Sequence, residues 1–262
     1  MDIKDLQENW DMFGKIDPLW ATLSFPDKRG NRWQIDEFFE TGFKEINALV
    51  KYVETLGINI PMTKALDFGC GVGRLTQALA HYFDEVCGVD IAPSMIMLAK
   101  KYNRQGDKCR YYLNETDDLK LFTNSSFNFI YTNITLQHIE PRYSKSYLKE
   151  FLRILAPHGL LIFQQPSERI LRARAPSKRL KQSIEFVTPK ILLDFYRKAK
   201  FEISKQQKME MYGIKQEELQ ESLEENGAKI VDIVQGQSAP GWISFRYCVT
   251  KEYTRVCGCA RI

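Results

Sequence analysis

The stretch Ala65-Leu66-Asp67-Phe68-Gly69-Cys70-Gly71-Val72-Gly73-Arg74 decides the fold. It begins in a short apolar run, Lys64–Phe68, which predicts a strand. It ends where helical spacing starts, with Leu75, Leu79 and Phe83 on one face of a predicted helix over Gly73–Phe83. Gly69, Gly71 and Gly73, on alternate positions, let the chain turn tightly and let a ligand reach the backbone without meeting a side chain. The helix that follows offers free N–H groups and the positive end of its dipole. Strand, glycine turn and helix in that order are how open α/β sheets bind nucleotides.

The same rhythm continues downstream. Glu85–Asp90 reads as a second strand and Pro93–Tyr102 as a helix with proline in its first turn. Arg110–Leu113, Phe127–Thr132 and Gly159–Gln164 read as further strands, with a helix over Tyr143–Leu155. Strands alternating with helices predict a doubly wound α/β fold, a mostly parallel sheet covered on both faces. Gln216–Asn226 is a predicted helix stopped by Gly227, and Lys229–Val234 and Ser244–Thr250 are the last two strands. The link between those two is too short for a helical crossover, so they should pair antiparallel, giving seven strands in all.

Two regions flank this core. Residues 1–57 are aromatic-rich and helical in pattern and read as an N-terminal cap; the rest, 58–262, is the ligand-binding domain. Within 36–55 the apolar positions Phe39, Phe43, Ile46, Leu49, Val50 and Val53 follow helical spacing. Residues 167–213 break the alternation and read as an insertion, with a helix from Thr188-Pro189 to about Ala199 and an extended piece near Phe201–Ser204.

The bulk properties suit an ordinary soluble globular protein with a sizeable core: 262 residues, 44% hydrophobic, 27% charged, net charge +4. That charge is too small to point to nucleic acid. The start Met1-Asp2-Ile3-Lys4-Asp5-Leu6 has no apolar leader, and no run suits a membrane span, so a cytoplasmic protein without stable membrane insertion is expected. Cys70, Cys87, Cys109 and Cys248 sit in apolar contexts and read as buried thiols. Cys257 and Cys259 are too close together for a zinc pair, so no metal site is expected.

Two ligand classes compete for the glycine turn. A nicotinamide or flavin site wants G-x-G-x-x-G, but the spacing is G-x-G-x-G and Arg74 stands where the third glycine would be. S-adenosylmethionine has no pyrophosphate; its amino-acid end carries an ammonium that Asp67 suits by charge. Asp90 ends the second strand 17 residues after Gly73, where a carboxylate accepts from both ribose hydroxyls.

With those residues in place, the chain resembles the class I S-adenosylmethionine-dependent methyltransferases, in particular the small-molecule branch similar to quinone-biosynthesis enzymes. The resemblance runs over about residues 60–166 and more loosely over the last helix and strands. It implies a Rossmann-like sheet, S-adenosylmethionine as cofactor and S-adenosylhomocysteine as product. It implies that Asp67, Gly69, Cys70, Gly71 and Gly73 wrap the methionine end, that Asp90 binds the ribose, and that Ile91 and Met95 flank the adenine. The family's Gly-Asp-Ala-x-x-Leu pattern reads here Asn114-Glu115-Thr116-Asp117-Asp118-Leu119, which brings Glu115 and Thr116 to the adenine. The stretch Asn133–Ile139 matches the part next to methionine and acceptor, with Asn133 as a binding residue.

His138 is the candidate general base, because it follows the fourth strand at the ligand edge and imidazole titrates near neutrality. A locally packed histidine is the other reading. The basic run Arg169, Arg172, Arg174, Lys178, Arg179 and Lys181 is either a lid that attracts an anionic acceptor or a solvated face. Trp10, Trp20, Trp33 and Tyr212 are candidates for an acceptor wall, against the reading that the aromatics simply pack. The expected acceptor is a small molecule offering a hydroxyl, carboxylate or amine. The rivals are an RNA or protein methyltransferase and a cofactor-binding module without activity. RNA is disfavoured by the lack of aromatic interleaving in the basic run and by Asn133-Ile134-Thr135-Leu136 standing where amino methyltransferases of nucleic acids carry Asn/Asp-Pro-Pro-Tyr.

Overall fold

β1 (Lys64–Phe68) lies inside a seven-stranded sheet with β2 (Glu85–Asp90), β3 (Cys109–Leu113), β4 (Phe127–Thr132), β5 (Leu155–Arg169), β6 (Ala228–Gly236) and β7 (Trp242–Lys251). The computed structural model describes residues 1–170, 208–236 and 241–251. Strand order is β3-β2-β1-β4-β5-β7-β6. β1 to β5 pair in parallel, and β7 runs antiparallel to both β5 and β6. The chain winds outward from β1 to β3, then returns to β4 on the other side of β1. This order reversal opens a crevice beyond the carboxyl ends of β1 and β4.

Alternation along β1 sorts its side chains between two apolar layers. Leu66 and Phe68 face Tyr147, Leu148 and Phe151 of α6 (Pro141–Ile154), with α7 (Gln216–Glu225) completing that layer through Leu219 and Leu223. Ala65 faces the opposite layer, built from α3 (Ile35–Thr55), α4 (Arg74–Leu79) and α5 (Pro93–Tyr102). α3 buries Phe38, Phe39, Gly42, Ile46, Leu49 and Val53, the stripe that its spacing predicts. Two further helices, α1 (Ile3–Ile16) and α2 (Pro18–Thr22), cross the ligand edge of the sheet, where Phe13 and Ala21 pack with Val72, Ala92 and Met95.

Local differences from the sequence reading have physical causes. α4 ends at Leu79 rather than Phe83, because His81 and Tyr82 donate three residues back and tighten the last turn. β5 starts directly after α6, where Leu155 pairs with Phe127 of β4, and runs to Arg169, well past Gln164, because β7 pairs with it from Leu160 to Arg169. The helix near Thr188-Pro189, the piece near Phe201–Ser204, the basic positions from Arg172 to Lys181 and the Cys257/Cys259 pair lie outside the described residues. Arg169 is described; its guanidinium sits over Trp242, 5.0 Å from the ring centre.

Candidate active site

The crevice at the strand-order reversal holds about 850 Å³ of space, its open mouth included. The glycine turn forms one side. Gly69 N–H and Cys70 N–H both donate to Val89 O, at 2.8 and 2.9 Å, tying the turn to the end of β2. Gly69, Gly71 and Gly73 all have positive φ, 75°, 52° and 85°, which is why glycine stands at each. Asp90 closes the turn from β2: one carboxylate oxygen accepts from Gly71 N–H at 2.8 Å, the other from Ala92 N–H at 2.9 Å. Burial pushes the Asp90 carboxyl above its ordinary value, and the backbone donors oppose that rise. Each oxygen keeps a lone pair beyond the one it shares with the backbone. Gly69, Cys70, Gly71 and Asp90 all line the crevice, as do Ile91 and Met95.

Asp67 does not line it. Alternation puts Asp67 on the same face of β1 as Ala65, under α4, where Thr76 Oγ1 donates to its Oδ2 at 2.6 Å and 1% of it is exposed. Burial pushes its carboxyl up to about 7, with the Thr76 hydroxyl and the Arg74 charge acting in the opposite direction. Gly73 caps α4 and faces Tyr111 rather than the crevice. Glu115 and Thr116 are exposed at the rim, and Asn114 is the residue of that stretch that lines the cleft. The Glu115 carboxylate accepts from Gln7 Nε2 of α1 at 2.7 Å, and the same amide donates to Ile91 O at 3.2 Å.

The opposite side comes from the residues after β4. Asn133, Ile134 and Thr135 line the crevice. Ile134 has φ of 52°, a conformation that a β-branched residue adopts only under constraint; its N–H donates to Gln164 Oε1 at 3.1 Å. The strained step brings Thr135 against Gly69, where a Cβ would lie 2.2 Å from Thr135 Cγ2.

Sequence reasoning missed Arg74 and Glu45. Arg74, at the first position of α4, lines the crevice with 2% of its side chain exposed. Its Nη1 pairs with Glu45 Oε2 of α3 at 2.9 Å, while its Nε has no partner among the described residues. The other Glu45 oxygen accepts from Tyr131 OH at 3.0 Å and Asn133 Nδ2 at 2.8 Å. One signal was present in the sequence: Gly42, in the middle of a helical run. A Cβ there would lie 2.5 Å from Arg74 O, so the glycine marks where α3 crosses α4.

α1 and α2 supply the remaining wall through Leu6, Trp10, Ala21 and Thr22. Of the aromatic candidates, Trp10 lines the crevice. Trp20 and Trp33 instead donate their indole N–H to Phe25 O and Leu23 O, and Tyr212 OH donates to Glu210 Oε2. His138 also lines the crevice, edge-on to Trp10 with ring centres 5.0 Å apart. Its Nδ1 is 2.7 Å from Glu210 O, which fixes the proton on that nitrogen, and Nε2 accepts from the Gln137 side-chain amide at 3.0 Å. Burial holds the imidazole below its ordinary value, and the bond to Glu210 O opposes this. The arrangement can hold a nucleoside by Asp90 and an apolar wall, a charged group by Arg74, and a proton at His138.

Residues 66–163 match the family described as a methyltransferase domain. Among curated proteins the chain is similar to phosphoethanolamine N-methyltransferase 1 of Zea mays, at 32% identity over 48% of this chain and 25% of that protein. It is similar to trans-aconitate 2-methyltransferase of Deinococcus radiodurans, at 29% identity over 55% of each chain. It is also similar to a ubiquinone biosynthesis O-methyltransferase of Cereibacter sphaeroides, at 28% identity over 52% of this chain and 59% of that protein. The chain thus spans less than two thirds of each of these relatives. Among solved structures, magnesium protoporphyrin IX methyltransferase from Synechocystis PCC 6803 with bound SAH shares the fold at TM-score 0.62 and 15% identity, over 96% of this chain and 100% of that one. A SAM-dependent methyltransferase from Leishmania major shares it at TM-score 0.62 and 12% identity, over 95% and 82%. The span that matches the methyltransferase domain, residues 66–163, runs from β1 and the glycine turn into β5, and the strand order around that turn is the fold shared with these solved methyltransferases.

Proposed function

We propose that this chain binds S-adenosylmethionine in the crevice between β1 and β4 and transfers its methyl group to a small molecule. The observation that carries the reading is the meeting of the Gly69–Gly71 backbone with the Asp90 carboxylate in a single cleft. The donor set fits the cofactor. Asp90 has lone pairs left for two ribose hydroxyls, Ile91 and Met95 give an apolar wall for a base, and the unpartnered Arg74 Nε suits a carboxylate. Asp67 is a support of this cradle, bound to Thr76 beneath it. The bound cofactor supplies an already activated methyl group on a sulfonium.

What remains for the protein is alignment and exclusion of water. Leu6, Trp10 and Ile139 form an apolar wall for the acceptor, and Thr135 packs on the glycine turn to hold the two sides in register. For a hydroxyl or amine acceptor, His138 takes the proton at Nε2. That lone pair is held by the Gln137 amide in this structure, so engaging substrate exchanges one donor for another.

Calorimetric titration with S-adenosylmethionine, S-adenosylhomocysteine and NADPH tests the reading, on the wild type and on Asp90→Ala. The expected result is binding of the first two, lost in the variant, and no binding of NADPH. A folded wild type that binds neither adenosyl compound overturns the proposal. Transfer of label from the methyl-labelled cofactor to a panel of hydroxylated, amine and carboxylate compounds then identifies the acceptor.

A further inference from the structure

We propose that Glu45 of α3 is a positioning residue that sets up recognition of an α-amino-acid zwitterion at the methionine end of the crevice. The inference rests on the cofactor reading above and goes beyond it, because Glu45 lies outside the family-matched span of residues 66–163.

Glu45 uses both carboxylate oxygens. Oε2 pairs with Arg74 Nη1 at 2.9 Å; Oε1 accepts from Asn133 Nδ2 at 2.8 Å and from Tyr131 OH at 3.0 Å. Arg74 and Asn133 both line the crevice. Each is therefore gripped from behind by the same carboxylate, and the grip decides which atoms face the ligand. With Nη1 committed to Glu45, Arg74 presents its buried Nε edge, which has no partner among the described residues and is a donor suited to a carboxylate. With Nδ2 committed to Glu45, Asn133 has its Oδ1 left to face an ammonium, for which an amide oxygen is the right acceptor. Without Glu45 the Asn133 amide is free to present nitrogen instead.

Charge favours the same assignment. Arg74 is 2% exposed, and a buried guanidinium without a counter-ion is strongly disfavoured. Glu45 makes the pair neutral, so the site matches a ligand group that is itself neutral overall but carries separated charges. Arg74 alone would favour any anion. The glycine that lets α3 come close is one turn earlier, at Gly42, where α3 meets the Arg74 backbone. Position 45 is three residues on, on the same helix face.

The test separates the amino-acid end from the nucleoside end. S-adenosylhomocysteine carries both, whereas 5′-methylthioadenosine carries only the nucleoside. Both are titrated calorimetrically into the wild type and Glu45→Gln, with thermal melts and circular dichroism as folding checks. Glu45→Gln is expected to weaken S-adenosylhomocysteine by about tenfold or more, as for loss of a hydrogen bond to a charged group, and to leave methylthioadenosine within about twofold. Equal weakening of both ligands means that Glu45 only braces the fold, and no change in either means that it does nothing for binding; both overturn the proposal. If Glu45→Gln does not fold, Tyr131→Phe removes one donor to Glu45 from outside the crevice. It should weaken S-adenosylhomocysteine selectively by a few-fold, and an unselective loss or no loss again overturns the proposal. A folded wild type that binds neither ligand defeats the cofactor reading itself, an outcome distinct from a wild type that binds both and a variant that does not discriminate.

Discussion

Thr76 Oγ1 donates to Asp67 Oδ2 at 2.6 Å, and that bond keeps the acid beside the glycine turn buried under α4 instead of in the crevice. With its carboxyl pushed from 3.8 up to about 7, Asp67 stays protonated in the fold over a range where the unfolded chain ionises it. The burial is thus without electrostatic cost below pH 3.8, costs progressively more as the pH rises, and reaches its full cost above about 7. Asp67→Asn removes that dependence. Urea unfolding at pH 5 and pH 8 should show the variant gaining on the wild type as the pH rises, by at most about 4 kcal/mol over the whole range. A difference independent of pH would show that the carboxyl does not titrate in this window.

Gly71 and Thr22 should prove coupled. A Cβ at Gly71 would lie 2.7 Å from Thr22 Oγ1, and its φ of 52° disfavours any side chain. Gly71→Ala should destabilise the protein by about 1–2 kcal/mol from backbone conformation alone, with a further loss from the contact. In a Thr22→Ala background the contact part should be recovered and the conformational part should remain. A double-mutant cycle with no coupling would mean that α2 does not rest on the glycine turn.

These two residues show what was legible in the sequence. The strand–turn–helix alternation was, because period-two and helical spacings write directly into residue order, and Asp90 was found as the acid that ends the next strand after the glycine turn. The orientation of Asp67 was half-legible: alternation from Leu66 and Phe68 into one layer sends it the other way, and Thr76 is nine residues on. Glu45 with Arg74, and His138 with Glu210, were not legible. Their partners are 29 and 72 residues apart, and nothing local specifies which helix face or which returning segment meets them. Trp20 and Trp33 read as wall candidates by type, but their indole N–H groups are satisfied by backbone within the N-terminal segment.

His138→Asn should lower kcat with a hydroxyl or amine acceptor by about 100-fold or more if Nε2 accepts the proton. Because burial holds this imidazole below 6.5, the acid limb of the wild-type profile should fall below that value, and it should vanish in the variant. An unchanged kcat with a raised KM would make His138 part of the acceptor wall instead.

Arg153 of α6 fastens the segment between β3 and β4. Its guanidinium donates to Leu119 O, Phe122 O and Asn124 Oδ1 at 2.8–3.0 Å and pairs with Glu150, whose carboxylate also accepts from Leu119 N–H. Arg153→Lys keeps the charge but cannot reproduce the fork, and should cost about 1–2 kcal/mol in thermal or urea unfolding without changing cofactor affinity. Loss of affinity in a folded variant would show that the hold on Leu119, Phe122 and Asn124 is transmitted along the segment to Asn114 in the crevice.

The crevice is assembled from two sources. The glycine turn, Asp90 and the Asn133–Ile139 stretch lie within the family-matched span, while Leu6, Trp10, Thr22 and Glu45 lie upstream of it and Glu210 downstream. On the proposed reading, exchanging the first fifty-odd residues between two such chains would change the Leu6 and Trp10 part of the acceptor wall together with the Glu45 brace at the methionine end, and the recipient core would need to match the donor at seams that include Gly71 under α2, Ser94 under α1 and Arg74 under α3.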